Sequence, residues 1–260
     1  MSTVPYYDSA DVKMVTSMQV LLEEIKKFGI ERPGGGLYFR GQDDESYPLK
    51  PTAGRSNFYK HGGKVALPFT LKQERDLLHR FKRYAYNHTQ RLLNDWEALF
   101  LARQHGLPVR LLDWTSNPLV ALYYAVLCEE EPNKDGAIWI FRRIKDDSRD
   151  IDIMAKKRSP FEITGVKIIY PLYVSPRLIV QSGCFTLHHD PSRSLEKDNP
   201  NNYGPGDFDI SVLRKWVVPS NKKVELLDTL ERMAINYRTL FPDLDGLAKG
   251  LWQLEVIRKY

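Results

Sequence analysis

Two short segments gather residue types that do chemistry. One is Leu37-Tyr38-Phe39-Arg40-Gly41-Gln42, where an arginine ends a short apolar run ahead of a glycine. A guanidinium there stands at a sheet edge, and its planar fork suits a phosphate or a carboxylate. The glycine lets the backbone turn sharply. The other is Gln104-His105-Gly106-Leu107-Pro108-Val109-Arg110-Leu111-Leu112-Asp113-Trp114-Thr115-Ser116-Asn117-Pro118. Polar groups so dense beside apolar helices are costly unless they pair with one another or with a ligand. Thr115, Ser116 or Asn117 serves as cap for the helix that follows. Capping leaves His105, Arg110 and Asp113 unexplained. Two readings of these groups stay open: a ligand site, or internal ion pairs in which Asp113 holds Arg110 or Arg40.

The elements that must position these groups follow from periodicity. Val12–Phe28 carries apolar residues at helical spacing and stops at Gly29. Leu37–Arg40 reads as a strand and Asp43–Lys64 as a loop. Leu71–Leu93 and Trp96–His105 read as helices, Val109–Leu112 as a strand. Asn117-Pro118 opens a helix running to Cys128, with Pro118 in its first turn. Beyond it come strands over Ala137–Arg142, Val166–Val174, Gly183–His188 and Leu213–Val218. An exposed loop spans Asp190–Asp209, and helices cover Val224–Ile235 and Leu244–Arg258. Helices dominate early and strands late, which predicts an α+β fold. No linker divides the chain, so its 260 residues read as one domain.

Composition narrows the function classes. The chain has 38 Lys+Arg against 33 Asp+Glu, a net charge of +5 and a pI near 9.0, which permits an anionic partner without demanding one. Two cysteines, Cys128 and Cys184, rule out a disulfide framework or a four-cysteine zinc site and read as core packing. There is no signal-peptide pattern, and the longest apolar stretch, Leu119–Cys128, is far short of a span. The expectation is a cytoplasmic protein without membrane contact. No phosphate-loop, dinucleotide or nucleophile-elbow motif is present. His188-His189 are adjacent, so their rings diverge on a strand and suit a shared metal poorly. No metal site is expected.

The two segments together resemble the FRG-domain family, named for the Phe-Arg-Gly that stands here as Phe39-Arg40-Gly41. The resemblance runs through Gln42, Pro51 and Arg55, then Gln104–Pro108, Arg110–Thr115, Asn117-Pro118 and Ala121. It continues in Gln181-Ser182-Gly183-Cys184-Phe185-Thr186 and Phe241–Gly246. It covers a core of about 37–219, flanked by the N-terminal helix (12–28) and C-terminal helices (224–258). A weaker resemblance is to ADP-ribosyltransferases of the Arg-Ser-Glu class, in the order Tyr38–Gly41, Thr115-Ser116, Gln181-Ser182-Gly183.

This second resemblance implies a mixed, mainly antiparallel β core with a helical segment between the first two site strands. It implies NAD as substrate and a toxin or antiphage effector that transfers ADP-ribose to a macromolecule. Arg40 would hold a phosphate or ribose, Ser116 would brace the site and Gln181 would stand on the third strand. Gln42, Arg110, Thr115 and Phe185 would complete the NAD-binding set. Gly183 stands where that class carries its glutamate. Asp113 is the preferred replacement and Glu74 the runner-up, with His105 as general base. Two alternatives stand beside this: a non-catalytic nucleotide- or nucleic-acid-binding module, and a metal-dependent nuclease built on Asp113, Asp43 and Asp44.

One further stretch reads as a partner surface. Leu71–Leu93 carries Lys72, Arg75, Arg80, Lys82 and Arg83 with Tyr84 and Tyr86 interleaved, and Lys156-Lys157-Arg158 adds a second basic cluster. Cations among aromatics track phosphates and stack bases, so RNA or DNA is one partner. An acidic protein such as a neutralising antitoxin reads the same patch.

Overall fold

A computed structural model describes residues 6–31, 36–56, 60–61, 64–65, 68–127, 133–143, 158–171, 176–204 and 207–257. Cys128, Lys156 and Lys157 lie outside the described residues, as does the end of the expected Val166–Val174 strand. The strands are β1 (Lys13–Met14), β2 (Leu37–Gln42), β3 (Lys60–His61), β4 (Lys64–Val65), β5 (Leu111–Thr115), β6 (Gly136–Arg143), β7 (Val166–Ile169), β8 (Gly183–His188) and β9 (Ile210–Val218). The helices are α1 (Met18–Glu31), α2 (Leu71–Thr89), α3 (Asp95–Gln104), α4 (Pro118–Val126), α5 (Pro176–Val180), α6 (Lys223–Arg232), α7 (Tyr237–Leu240) and α8 (Leu244–Ile257).

Among the described residues seven strands form one sheet in the order β1-β9-β6-β2-β5-β8-β7, antiparallel throughout except for β1 beside β9. The fold is thus mixed α/β with a mostly antiparallel sheet. One face of this sheet carries two helical layers. Leu21, Val120, Ala121 and Leu226 of α1, α4 and α6 pack on Phe39, Ile140 and Trp216. Leu78 of α2 and Leu99 and Phe100 of α3 pack on Leu111, Phe185 and Leu187. The opposite face buries Trp114, Trp139 and Phe141 under the chain around Leu49, Leu195 and Phe208. Alternation along β5 explains the division, since Leu111 faces one layer while Leu112 and Trp114 face the other.

Several expected boundaries shift, each for a local reason. The first helix begins at Met18 because Lys13–Met14 instead extends the sheet along β9, and Ser17 accepts from the Val20 and Leu21 amides. The strand expected at Val109–Leu112 runs Leu111–Thr115. Ahead of it the Val109 amide and carbonyl bond Thr52 Oγ1 and the Ala53 amide. Helix α2 stops at Thr89 because Gln90 turns left-handed, at φ 53°. The last strand starts at Ile210, and the loop before it holds two 3-10 turns. Asn117 is the cap residue of α4, its Oδ1 accepting from Leu119 N at 2.9 Å.

Gly41 corrects the expectation of a sharp turn. It lies within β2 and is paired with Ile138. A Cβ there would stand 1.9 Å from the Ala121 carbonyl oxygen, so glycine lets β2 press against α4. Gly136 of β6 meets the same helix, its Cβ position 2.1 Å from the Ala125 carbonyl oxygen. The close approach fixes Arg40, the residue before Gly41, relative to α4.

Candidate functional site

Strands β2 and β5 pair at a single position, Phe39 with Thr115. Arg40 then takes over from the ladder. Its Nη1 donates to the Asp113 carbonyl at 2.9 Å, satisfying a backbone acceptor, and to Asp113 Oδ2 at 3.3 Å. Arg103, from the last turn of α3, closes on the same carboxylate. Its Nε donates to Oδ1 at 3.0 Å and Oδ2 at 3.1 Å, and its Nη2 makes a further short contact to Oδ2. The chain reaches this geometry through a helix-ending turn. Gly106 is left-handed at φ 80°, its amide bonds the Arg103 carbonyl, and the Leu107 amide bonds the Ala102 carbonyl.

These groups open on a cavity of about 360 Å³. Arg40, Arg103, Gln104, Asp113, Arg177 and Gln181 give it a polar lining, and Phe39, Tyr124, Phe185 and Phe241 give it aromatic walls. Asp113 is the one carboxylate among the described residues that line it, and 38% of its side chain remains accessible. Burial pushes the Asp113 carboxyl up, but Arg103 and Arg40 outweigh it and hold it below the usual carboxylate range. Burial lowers the Arg40 guanidinium to about 10, so it stays charged at neutral pH. Burial, then the Asp113 charge, pushes the Tyr124 hydroxyl up, which keeps its proton in place.

The far wall comes from later in the chain. Thr115 Oγ1 donates to the Gln181 carbonyl at 2.6 Å and accepts from Asn117 N at 3.0 Å. Gln181 Nε2 donates to the Leu240 carbonyl at 3.1 Å, tying α5 to α7. Arg177 lies over the Phe241 ring and its Nε donates to Asp243 Oδ2 at 3.0 Å. Asp243 in turn caps α8, its Oδ1 accepting from Gly246 N at 2.8 Å. Phe185 stacks on Phe100 with centroids 5.5 Å apart, and buried Cys184 beside it also lines the cavity.

The expected site residues thus divide. Arg40, Asp113, Thr115, Gln181 and Phe185 meet at the cavity. His105 and Ser116 are exposed and do not line it, His105 being the cap residue of α3. Gln42 turns to the opposite sheet face, where its Oε1 accepts from Trp139 Nε1 at 2.7 Å. Glu74 and Arg110 bond one another elsewhere. Arg110 Nη2 donates to Glu74 Oε2 at 2.8 Å and both side chains are 1% accessible. That pair accounts for Arg110, and Asp113 belongs instead to Arg40 and Arg103. Sequence reasoning missed Arg103, Tyr124 and Arg177. Arg103 carried a signal, as a lone cation in the apolar stretch Leu99-Phe100-Leu101-Ala102 before Gln104.

Asp43 and Asp44 also stand apart from the cavity lining. The Asp43 carbonyl accepts from Lys223 Nζ at 2.5 Å, and Asp44 Oδ1 accepts from Ser46 N at 2.8 Å. Among the described residues no three His, Cys, Asp or Glu side chains group as metal ligands would. His188 and His189 diverge: His188 Nε2 bonds Thr186 Oγ1 at 2.9 Å in the core, while His189 Nδ1 reaches the Ile163 carbonyl at 3.1 Å.

On α2 the buried face is Glu74, Leu78 and Ala85, which leaves Lys72, Arg75, Arg80 and Arg83 exposed. Lys82 pairs with Asp95 at 2.8 Å. Arg75 lies over Phe161, Arg83 over Tyr84, and Tyr84 and Tyr86 are open to solvent. Among the described residues no helix is long and apolar enough to cross a membrane.

No curated protein and no solved structure matches the chain. A family comparison does match. It takes in β2, α2, α3, β5 and α4, with Arg40, Arg103 and Asp113, and stops short of the α5–β8 wall: residues 35–135 match the family model of the FRG domain.

Proposed function

We propose that the cavity binds NAD and that the chain transfers ADP-ribose from it to a macromolecule. The observation that carries this reading is a cavity in which several guanidiniums face the one accessible carboxylate among the described lining residues, between aromatic walls. Guanidiniums suit the phosphates, and flat aromatic walls suit a base or nicotinamide ring. When the glycosidic bond to nicotinamide breaks, its electron pair leaves with the ring and the ribose becomes cationic. Asp113 is the group placed to stabilise that charge, being held ionised by its two arginines. A target nucleophile then bonds the anomeric carbon and releases its proton to water.

The order of β2, the helical segment, β5–α4 and β8 supports the reading by its likeness to the Arg-Ser-Glu class. The exposed cations and tyrosines of α2 suit RNA or DNA as the target, and a toxin or defence effector is the role that fits such chemistry.

A second reading has its own observation. Arg103 Nε already engages both Asp113 oxygens, which suits binding of a nucleotide without turnover. Incubation with labelled NAD and cell extract, followed by separate protease and nuclease digestion, tests both. Free nicotinamide and labelled polymer, both lost in a folded Arg40→Ala variant, are the expected result. NAD that binds and stays intact selects the second reading. NAD that does not bind overturns both.

A further inference from the structure

A second cavity, of about 320 Å³, lies where the segment around Lys50 meets the loop before β9. It shares no lining residue with the first. Lys50, Arg193 and Lys197 line it together with Ser194 and Asn202, and Asp198 is the one acid among its described lining residues. The two segments are clamped to each other. Leu49 and Leu195 are fully buried, the Leu195 amide donates to the Leu49 carbonyl at 3.0 Å, and the Leu49 amide donates to Glu196 Oε2 at 3.1 Å. A further close contact lies at Gly54, where a Cβ would fall 1.6 Å from the Pro191 carbonyl oxygen. Backbone packing therefore sets Lys50 beside Ser194 and Lys197.

The charges of this lining are unequally answered. Asp198 is 4% accessible, and its oxygens are already engaged. Its Oδ1 accepts from the Asn199 amide at 3.0 Å, its Oδ2 accepts from the Tyr203 hydroxyl, and Arg193 Nη1 stands 3.8 Å from Oδ1. Arg193 also lies 3.7 Å from Asp190. Among the described residues no carboxylate pairs with Lys50 or Lys197. Two ammoniums are thus left to the cavity.

A solvated lysine needs no partner, so charge alone assigns nothing. Ser194 supplies a second, independent observation. It is 5% accessible, it lines the same cavity, and among the described residues its hydroxyl makes no hydrogen bond. Few buried hydroxyls go without a partner, because leaving water without a replacement bond is costly. Two ammoniums, an unanswered hydroxyl and the Asn202 amide are all donors around one opening. They fit an oxyanion with more than one charge and several acceptor oxygens. A carboxylate or a phosphodiester carries a single charge, whereas a phosphate monoester carries nearly two on three oxygens.

We propose that this second cavity is a binding site for a phosphate dianion, separate from the nucleotide cavity and independent of its chemistry. Free phosphate and the terminal phosphate of a monoester carry the same group.

Calorimetric titration of the full chain in low-salt buffer with inorganic phosphate, phenyl phosphate and dimethyl phosphate tests it. Phosphate should saturate one site and bind at least about tenfold more tightly than the singly charged diester. Lys50→Gln combined with Lys197→Gln should weaken phosphate by about tenfold or more, and Ser194→Ala by several-fold. Neither lysine has a partner to lose, so the double variant should melt with the parent chain when phosphate is absent. Added phosphate should then raise the melting temperature of the parent and not of the double variant. Phenyl phosphate bound as tightly as phosphate extends the site to monoesters, and phosphate bound alone confines it to the free ion. Absence of saturable binding, equal affinity for the diester, or full affinity in either variant overturns the site. Phosphate binding lost in Arg40→Ala and kept in the lysine double variant puts the ion in the first cavity and overturns it as well.

Discussion

Two arginine–carboxylate clusters lie three residues apart in the chain and do different work. Arg110 and Glu74 are sealed: Glu74 takes the Arg110 amide at 2.9 Å, Nε at 3.0 and 3.1 Å, and Nη2 at 2.8 Å. Nη1 reaches the His189 carbonyl at 3.4 Å, and the guanidinium lies over Phe161. One charge answers one charge, with no water-facing side. The Arg40–Asp113–Arg103 cluster uses the same groups but is open to a cavity and carries excess guanidinium. The lesson concerns stoichiometry and access. A balanced, closed pair holds α2 against the start of β5. An unbalanced, open one is left with charge for something else to meet.

The largest expected effect breaks the closed pair. Glu74→Gln leaves Arg110 buried without a counter-charge, which costs about 3–5 kcal/mol. At roughly 2–4 °C per kcal/mol for a chain of this size, the melting temperature should fall by roughly 6–20 °C. Below that temperature, NAD affinity should be unchanged. Lost nucleotide binding in a variant that calorimetry shows to be folded would make Glu74 part of the site and erase the contrast.

Asp113→Asn should cost less, about 1–2 kcal/mol, because solvent in the cavity still reaches the arginines. Its functional effects should run in opposite directions: tighter nucleotide binding, since a competing negative charge is gone, and loss of nicotinamide release. The acid limb gives an independent reading. Burial raises the Asp113 carboxyl, but Arg103 and Arg40 lower it further, so the folded value lies below the unfolded one. Its contribution is complete above the unfolded value near 4 and is lost as pH falls through the folded value. Urea titrations below about pH 4 should therefore show a shallower decline in the variant than in the parent chain. An unchanged slope would mean that Asp113 carries no such linkage.

What the sequence made legible follows from the range of each signal. Helices α2, α3 and α4 announced themselves because their apolar period and their caps are local properties, as with Asn117 and Pro118. Strand β8 was equally plain. Arg40 and Asp113 were legible as chemistry-bearing residues, and so was the ambiguity of Asp113. Which arginine Asp113 would choose was not, since Arg103 reaches it only through the left-handed Gly106 turn. Glu74 was misplaced because composition cannot tell a buried ion pair from a catalytic acid. Arg177 escaped because α5 has 5 residues, too short for any period to show.

The smallest effect separates stability from binding most cleanly. Gly183 sits on the cavity wall, opposite Thr115 in the β5–β8 ladder. A Cβ there would meet Leu178 Cδ2 at 3.3 Å and no backbone atom nearer than the Leu178 carbonyl oxygen at 3.7 Å. Leu178 can yield by a few tenths of an ångström, and alanine recovers the roughly 0.5–1 kcal/mol that glycine loses inside a strand. Gly183→Ala should therefore leave stability within about 1 kcal/mol of the parent chain. The added methyl enters the cavity, so nucleotide affinity should drop while the melting curve stays in place. This is the mirror image of Glu74→Gln, which lowers the melting curve and spares affinity. If Gly183→Ala instead destabilises the chain and leaves affinity untouched, the wall at β8 is packing and the open cluster ends at Asp113.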